Sequence, residues 1–248
     1  MFYAEVAGKG RAQVSGEAAE HLRRVLRVEI GQQYEISDRA GLYLGRVCAL
    51  PKGAVEFELS EPLAARRQGA RITVYAALVK FDRFEWMLEK CSELGVETVV
   101  PVATARSEAG LEKAAQKRLA RWARICEESG QQCRRVRPMN VETCTGFDAA
   151  IRSAQGKRLF LDEASGVPLL ACLGGQISCG CSLLVGPEGG WTEPERAMAL
   201  GESWQAATLG ESILRAETAG IAAVSQVQGY WWSLLSDGRN RAERGEIL

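Results

Sequence analysis

Hydrophobic and polar positions change rhythm near residue 70. Before it, short stretches alternate apolar and polar residues: Tyr34 to Ser37, Leu42 to Cys48 and Val55 to Leu59, separated by Gly-, Asp- and Pro-bearing turns. A period of two turns one face of each stretch toward a core, so residues 1–70 are expected to form a small β-rich domain, a barrel. Within it, the segment His21 to Arg27 predicts a short helix, with Leu22, Val25 and Leu26 on one face and Arg23, Arg24 and Arg27 leaning outward.

From residue 71 the rhythm is strand, then helix. Ile72 to Lys80 predicts a strand. Asp82 to Leu94 predicts a helix, with Phe84, Met87, Leu88, Cys91 and Leu94 at core spacing and Gly95 as its stop, and Val96 to Val102 predicts the next strand. A helix over Leu111 to Glu128 follows, then buried strands at Arg158 to Leu161, Ser182 to Val185 and Gln205 to Thr208. Another helix begins near Thr192, where Thr192 and Glu195 form a capping box and Pro194 occupies the first turn. This alternation predicts an α/β domain over 71–248, with a parallel sheet, helices on both its faces and ligand sites outside the carboxyl ends of its strands.

Two uncharged stretches test for membrane spans. Ala164 to Pro187 is broken by Pro168, Gly174, Gly175 and Gly180 and reads as loop, turn and buried strand. Thr218 to Ser236 contains Ser225, Gln226 and Gln228 and predicts a helix buried in the core or against a partner subunit, with no membrane involved. The start of the chain lacks the apolar core of a secretory signal. Eight cysteines, of which only Cys179 and Cys181 are closely spaced, and a single histidine, His21, fit neither a disulfide framework nor a metal site; a reducing cytoplasmic setting is expected, with no metal.

Hydrophobic residues make up 46% of the 248 and charged residues 25%, which describes an ordinary folded chain and sets aside disordered and collagenous classes. Lysine plus arginine equals aspartate plus glutamate at 31 each, which argues against a wholly basic nucleic-acid binder. Residues 104–137 nevertheless carry nine basic against four acidic side chains, mostly arginines suited to phosphate. A solvated helix face accounts for that run equally well.

The densest chemical signal is Leu184 to Glu195, LVGPEGGWTEPE, where an apolar strand ends in Gly186-Pro187-Glu188-Gly189-Gly190 before a capped helix. Such a loop can bring main-chain groups close to a ligand, or be only a tight turn. It matches no dinucleotide fingerprint, P-loop or nucleophile elbow. A second loop, Leu209 to Gly220, LGESILRAETAG, also follows a strand and carries Arg215 and Glu217, which a helix-terminus ion pair would explain too.

GPEGGW followed by LGESILRAETA resembles the two signature segments of the SPOUT superfamily of RNA methyltransferases, specifically its 16S ribosomal RNA uracil-N3 methyltransferase family. HLRRVLR before Gly31, KCSELGVE (Lys90 to Glu97), Arg106-Ser107, Arg121-Trp122 and QQCRRVRP (Gln131 to Pro138) extend the resemblance over most of the chain, with Gln131 and Arg134 departing from the family's pattern. The resemblance implies a trefoil-knotted, parallel-sheet methyltransferase domain behind a PUA-like RNA-binding barrel, and a homodimer formed through the knotted domain. It implies S-adenosylmethionine held by Leu161, Val185, Gly186, Pro187, Glu188, Gly189, Gly190, Leu209, Gly210, Ile213, Leu214 and Arg215. The implied partner is 16S ribosomal RNA or the small ribosomal subunit.

Methyl transfer to uridine N3 requires an aligned nucleophile and loss of one proton. Arg215 is the expected holder of an RNA phosphate or of charge developing on a uracil carbonyl, with Glu217 or Glu188 orienting that group or accepting the proton. Arg23, Arg24, Arg27, Arg106, Arg134 and Arg135 are the expected RNA contacts. Two other readings compete: another SPOUT enzyme acting on transfer-RNA ribose, and a non-catalytic RNA-binding factor of ribosome assembly.

Overall fold

The computed structural model describes residues 1–8, 10–64, 69–164, 166–174 and 180–243. Its contacts divide the chain into one unit of Met1–Arg67 with Glu128–Pro138 and a second of Gln68–Glu127 with Met139–Leu248.

The first unit is a six-stranded sheet of β1 (Phe2–Tyr3), β2 (Glu5–Gly8), β3 (Arg11–Ser15), β4 (Gln33–Ser37), β5 (Leu42–Ala49) and β6 (Ala54–Pro62), in the order β1-β4-β5-β6-β3-β2. Its two edge strands, β1 and β2, are separated in the chain by Ala4 alone, so the sheet must curl until its edges approach, giving a nearly closed barrel. Register shifts between β5 and β6 supply curvature. Gly45 makes room for it, because a Cβ there would lie 2.5 Å from Ile36 Cγ1. Ala12, Val14, Leu22, Ile36, Val47, Val55 and Phe57 fill the interior.

Helix α1 (Gly16–Arg24) lies earlier than its hydrophobic spacing predicts. It buries Ala19 and Leu22 and stops before Val25 and Leu26, which are 64% and 44% exposed. The segment 128–138, expected in the second domain, belongs to the first unit. Tyr3 donates to the Arg135 carbonyl at 3.0 Å, Ser37 to that of Val136 at 2.6 Å, and Arg137 Nε to that of Arg39 at 2.6 Å.

The second unit begins with β7 (Ile72–Ala77), α2 (Phe81–Glu93), β8 (Thr98–Ala103) and α3 (Leu111–Gln132), whose last residues fall in the first unit. It continues with β9 (Asn140–Val141), β10 (Thr145–Gly146), α4 (Phe147–Ser153), β11 (Lys157–Leu161), β12 (Val167–Pro168) and α5 (Leu169–Cys172). It ends with β13 (Cys181–Val185), α6 (Glu193–Gly201), β14 (Gln205–Thr208) and α7 (Ala216–Glu243). The sheet runs β10-β8-β7-β13-β11-β14-β12 with β9 beside β8, and every pairing is parallel, as the strand-helix alternation predicts.

Period two divides the buried strands between two cores. Ile72, Val74, Leu159, Leu183 and Val185 meet α2, α3 and α7, while Tyr75, Val100, Phe160 and Leu184 meet α4 and α6. Gln228 explains why the uncharged stretch of α7, Thr218 to Ser236, is not wholly apolar. Its amide, 8% exposed, accepts from Ala70 N at 2.9 Å and donates to Ala70 O at 3.2 Å, completing the backbone before β7. No helix among the described residues is long and apolar enough to cross a membrane.

Helices α2 and α3 are joined by Glu85, which accepts from Arg118 at 3.0 Å and from Arg121 Nε at 2.9 Å on each oxygen. Burial acts to raise the pKa of this carboxyl, but the bonds from Arg121 and Arg118 outweigh it and hold the group below its ordinary value of 4.5. A depressed folded pKa contributes stability that is complete above the unfolded value and lost as pH falls through the folded one. Glu85→Gln is therefore expected to cost about 1–2 kcal/mol near pH 7, with the difference from wild type vanishing toward pH 3, in urea unfolding followed across that range.

Candidate active site

Parallel strands that end together leave their last main-chain groups to be satisfied by the loops that follow. Here β11, β13 and β14 lie next to one another or one strand apart, and the loops after them enclose a pocket of about 440 Å³. The loop after β13 is shaped by Trp191, buried to 2% exposure, whose Nε1 donates to the Leu161 carbonyl at 2.8 Å and so ties this loop to the end of β11. Gly186 lies against the same ring, where a Cβ would approach to 3.0 Å. Gly190 turns with φ +68°, its N–H donating to Pro187 O at 2.9 Å, and a Cβ there would fall 2.6 Å from Glu163 Oε1.

Three more groups fix this loop from behind. Arg106 donates to Gly189 O at 2.6 Å. Arg196 donates to Trp191 O at 3.0 Å and reaches both oxygens of buried Asp162, at 2.9 and 3.1 Å. The hydrogen bond to Asp162 leads the interactions that raise the pKa of Arg196. Glu195 completes the capping box predicted with Thr192, and its other oxygen accepts from Ala105 N at 2.8 Å.

Of the residues singled out by sequence, Leu161, Val185, Gly186, Pro187, Glu188 and Gly190 line the pocket from one side. Leu209, Gly210, Ile213, Leu214 and Arg215 line it from the loop after β14. Gly189 does not line it; it is exposed, with its carbonyl held by Arg106. Glu217 does not line it either. It lies buried in the first turn of α7, its Oε2 without a hydrogen-bond partner.

Sequence reasoning missed Asp162, Glu163, Ser212 and above all Arg83, which lines the pocket from the first turn of α2 and forms an ion pair with Glu188. A signal for Arg83 was available: it follows the end of β7, which pairs with β13, so the two strand-end loops must be neighbours.

The six arginines expected to meet RNA separate into different roles. Arg106 is a brace for the loop. Arg23 is spent within the first unit, with Nη1 donating to the carbonyls of Leu50, Pro51 and Ala54 at 3.0, 2.6 and 3.1 Å. Arg24 is exposed and pairs with Glu20 at 3.0 Å, and Arg27 lies beyond α1 at φ 50°. Arg134, at φ 60°, faces Glu35 at 3.7 Å, and Arg135 Nε donates to Arg137 O at 3.2 Å.

Cysteine chemistry does not enter the site. Burial pushes the Cys91 and Cys181 thiols up to about 12 and Cys144 to about 11, so they are poor sources of thiolate. Cys179 lies outside the described residues. Among the described residues, no three of histidine, cysteine, aspartate and glutamate gather as metal ligands.

The family model of the RNA methyltransferase domain matches residues 66–228. A Synechocystis protein named ribosomal RNA small subunit methyltransferase E is 29% identical over 84% of this chain and 69% of its own length. A Bacillus subtilis protein of the same name is 28% identical over 86% and 88%. The crystal structure of a ribosomal RNA small subunit methyltransferase E from Neisseria gonorrhoeae bound to S-adenosyl methionine superposes with a TM-score of 0.83, at 30% identity, over 93% of this chain and 97% of that one.

The two adjacent loop glycines are expected to differ. Gly190→Ala places a side chain at positive φ against Glu163 and should cost about 1–3 kcal/mol in chemical denaturation. Gly189→Ala, which meets only the flexible Arg106 side chain, should stay within about 0.5 kcal/mol of wild type.

Proposed function

The chain belongs to the RNA methyltransferase domain family, and on that premise we propose that it methylates N3 of a specific uridine in 16S ribosomal RNA of the small subunit, using S-adenosylmethionine. The observation that carries this reading is the pocket at the ends of β11, β13 and β14, walled by the two glycine-bearing loops. Its volume suits a ligand of that size, and Gly190 and Gly210, at φ +68° and +132°, keep side chains off main chain that would face it. The names of the Synechocystis and Bacillus subtilis relatives and the ligand of the Neisseria gonorrhoeae structure support the same assignment.

When bound, S-adenosylmethionine supplies an electrophilic methyl group. The protein's own task is to hold a uracil ring in line with that methyl and to manage the proton on N3. Arg215, on the pocket wall, is assigned to the substrate side, where its guanidinium can hold a phosphate or stabilise negative charge on a uracil carbonyl as N3 loses its proton. Glu217 follows it by two residues and retains an acceptor oxygen without a partner, so it is assigned to orient Arg215 or take the proton. Glu188 is already paired with Arg83.

The finer features belong to the same reading. A trefoil knot in the second unit is supported by β13 inserting between β7 and β11 while the loops after β13 and β14 share one pocket. A PUA-like character for the nearly closed first sheet fits RNA binding, for which Arg24, Arg27 and Arg134 are the exposed ones among the expected arginines of that unit. Pairing of two copies through the second unit is supported by Val167 and Leu170, 46% and 52% exposed, and by Trp232 and Leu234 on α7, against which α5 packs. Action on ribosomal RNA supports a cytoplasmic location.

Labelled S-adenosylmethionine, 16S RNA or isolated small subunits, and nuclease digestion with mass spectrometry test this directly. The expected product is 3-methyluridine at one position. Arg215→Ala should reduce transfer by roughly a hundredfold, and Glu217→Gln should lower kcat more than it raises KM. Methylated ribose in transfer RNA would instead identify another SPOUT activity, and RNA affinity without cofactor binding or transfer would identify an assembly factor.

A further inference from the structure

The ion pair between Arg83 and Glu188 is the feature of the pocket wall that the proposed transfer does not use. Among the described residues lining the pocket, the cations are Arg83 and Arg215, and the carboxylates are Asp162, Glu163 and Glu188. Asp162 is spoken for by the two bonds from Arg196, and Arg215 stands on the opposite loop. Arg83 and Glu188 are left as adjacent opposite charges, with side chains 29% and 46% exposed, joining the first turn of α2 to the loop after β13. A pair that open contributes little to folding, and its partners can be exchanged without a large penalty.

Chemistry selects the ligand such a pair fits. A phosphate brought to Arg83 would meet the Glu188 carboxylate beside it and be repelled. A zwitterion carrying a carboxylate and an ammonium on one carbon satisfies both residues at once and conserves the charge balance when it replaces their mutual contact. S-adenosylmethionine carries such a group at its amino-acid end. We propose that Arg83 and Glu188 form the subsite for that end, the guanidinium taking the α-carboxylate and the Glu188 carboxylate the α-ammonium. This rests on the cofactor assignment above and assigns to side chains a part of the ligand that main-chain loops alone would hold without selecting its charge.

Three ligands separate the subsite from the rest of the pocket: S-adenosylmethionine; its decarboxylated form, which keeps the ammonium; and 5′-methylthioadenosine, which lacks the whole amino-acid end. Calorimetric titration of the full chain is expected to show Arg83→Gln weakening S-adenosylmethionine roughly tenfold or more, while methylthioadenosine and the decarboxylated form change by less than about twofold. Glu188→Gln should weaken both ligands that carry the ammonium and leave methylthioadenosine alone. It also tests the subsite from the loop side if Arg83→Gln does not fold. Arg83→Lys should recover most of the affinity, and Asp148→Asn, at an exposed ion pair on α4 outside the pocket, should leave all three ligands unaffected.

Equal loss of all three ligands in Arg83→Gln would show that the pair merely braces the loop, and unchanged affinity for S-adenosylmethionine would remove the subsite; either overturns the proposal. Wild type that binds neither S-adenosylmethionine nor methylthioadenosine would bring down the cofactor assignment itself, a result distinct from both.

Discussion

The hydrogen bond from the Trp191 indole to the Leu161 carbonyl is the constraint on which the pocket depends. Leu161 ends β11, and its carbonyl is where the ladder between parallel strands runs out. An acceptor left unmet at a buried strand end costs about 1–3 kcal/mol, more than a typical hydrogen bond contributes, so the fold favours keeping the indole on it. Because Trp191 belongs to the loop after β13, that loop inherits the position of β11. Gly186 and Gly190 then follow as steric necessities, one beneath the ring and the other in a left-handed turn. A pocket walled by main chain cannot be tuned one rotamer at a time; its shape is the shape of its loops, and these are set from behind by Trp191, Arg106 and Arg196.

That arrangement also explains what became of the basic segment. Arg118 and Arg121 hold Glu85, Arg106 holds the loop, and Arg134 faces Glu35. These four guanidinium groups are engaged within the fold, and those of Arg118 and Arg121 satisfy the largely buried Glu85 carboxylate. Counting basic residues therefore overstates the surface open to phosphate. The fork geometry that recommends arginine for nucleic acid also recommends it for bracing carbonyls, and sequence alone does not distinguish the two uses.

Elements whose core face repeats over several turns were legible in the sequence. The α2 spacing, the buried strands β11 and β13, the boundaries of β14 and the capping box of α6 all follow from local pattern, and the position of the pocket follows from the parallel sheet. Features fixed by distant partners were not. Helix α1 was misplaced because Val25 and Leu26 continue the apolar pattern although the helix has already ended at Arg24. Strands β9, β10 and β12 have two residues each, too few for a period to register. The association of 128–138 with the first unit rests on side chains of Tyr3 and Ser37 more than ninety residues away. Arg83 escaped notice because its importance comes from the neighbour of its strand in the sheet.

Glu217 carries the argument about the site one step further. Helices α2 and α7 pack in step: a Cβ on Gly220 would come within 2.9 Å of Met87 Sδ, and one on Gly95 within 3.3 Å of the Gln228 amide. This register sets Glu217, one turn before Gly220, level with the turn of α2 that precedes Met87, the turn that carries Arg83. The helix dipole at the start of α7 offsets part of the charge on Glu217, but Oε2 remains buried without a donor. A core selected only for stability gains by replacing such an oxygen with an apolar group of similar volume. Glu217 thus retains, two residues from Arg215 on the pocket wall, an acceptor oxygen whose burial costs stability and is offset by no hydrogen bond within the fold.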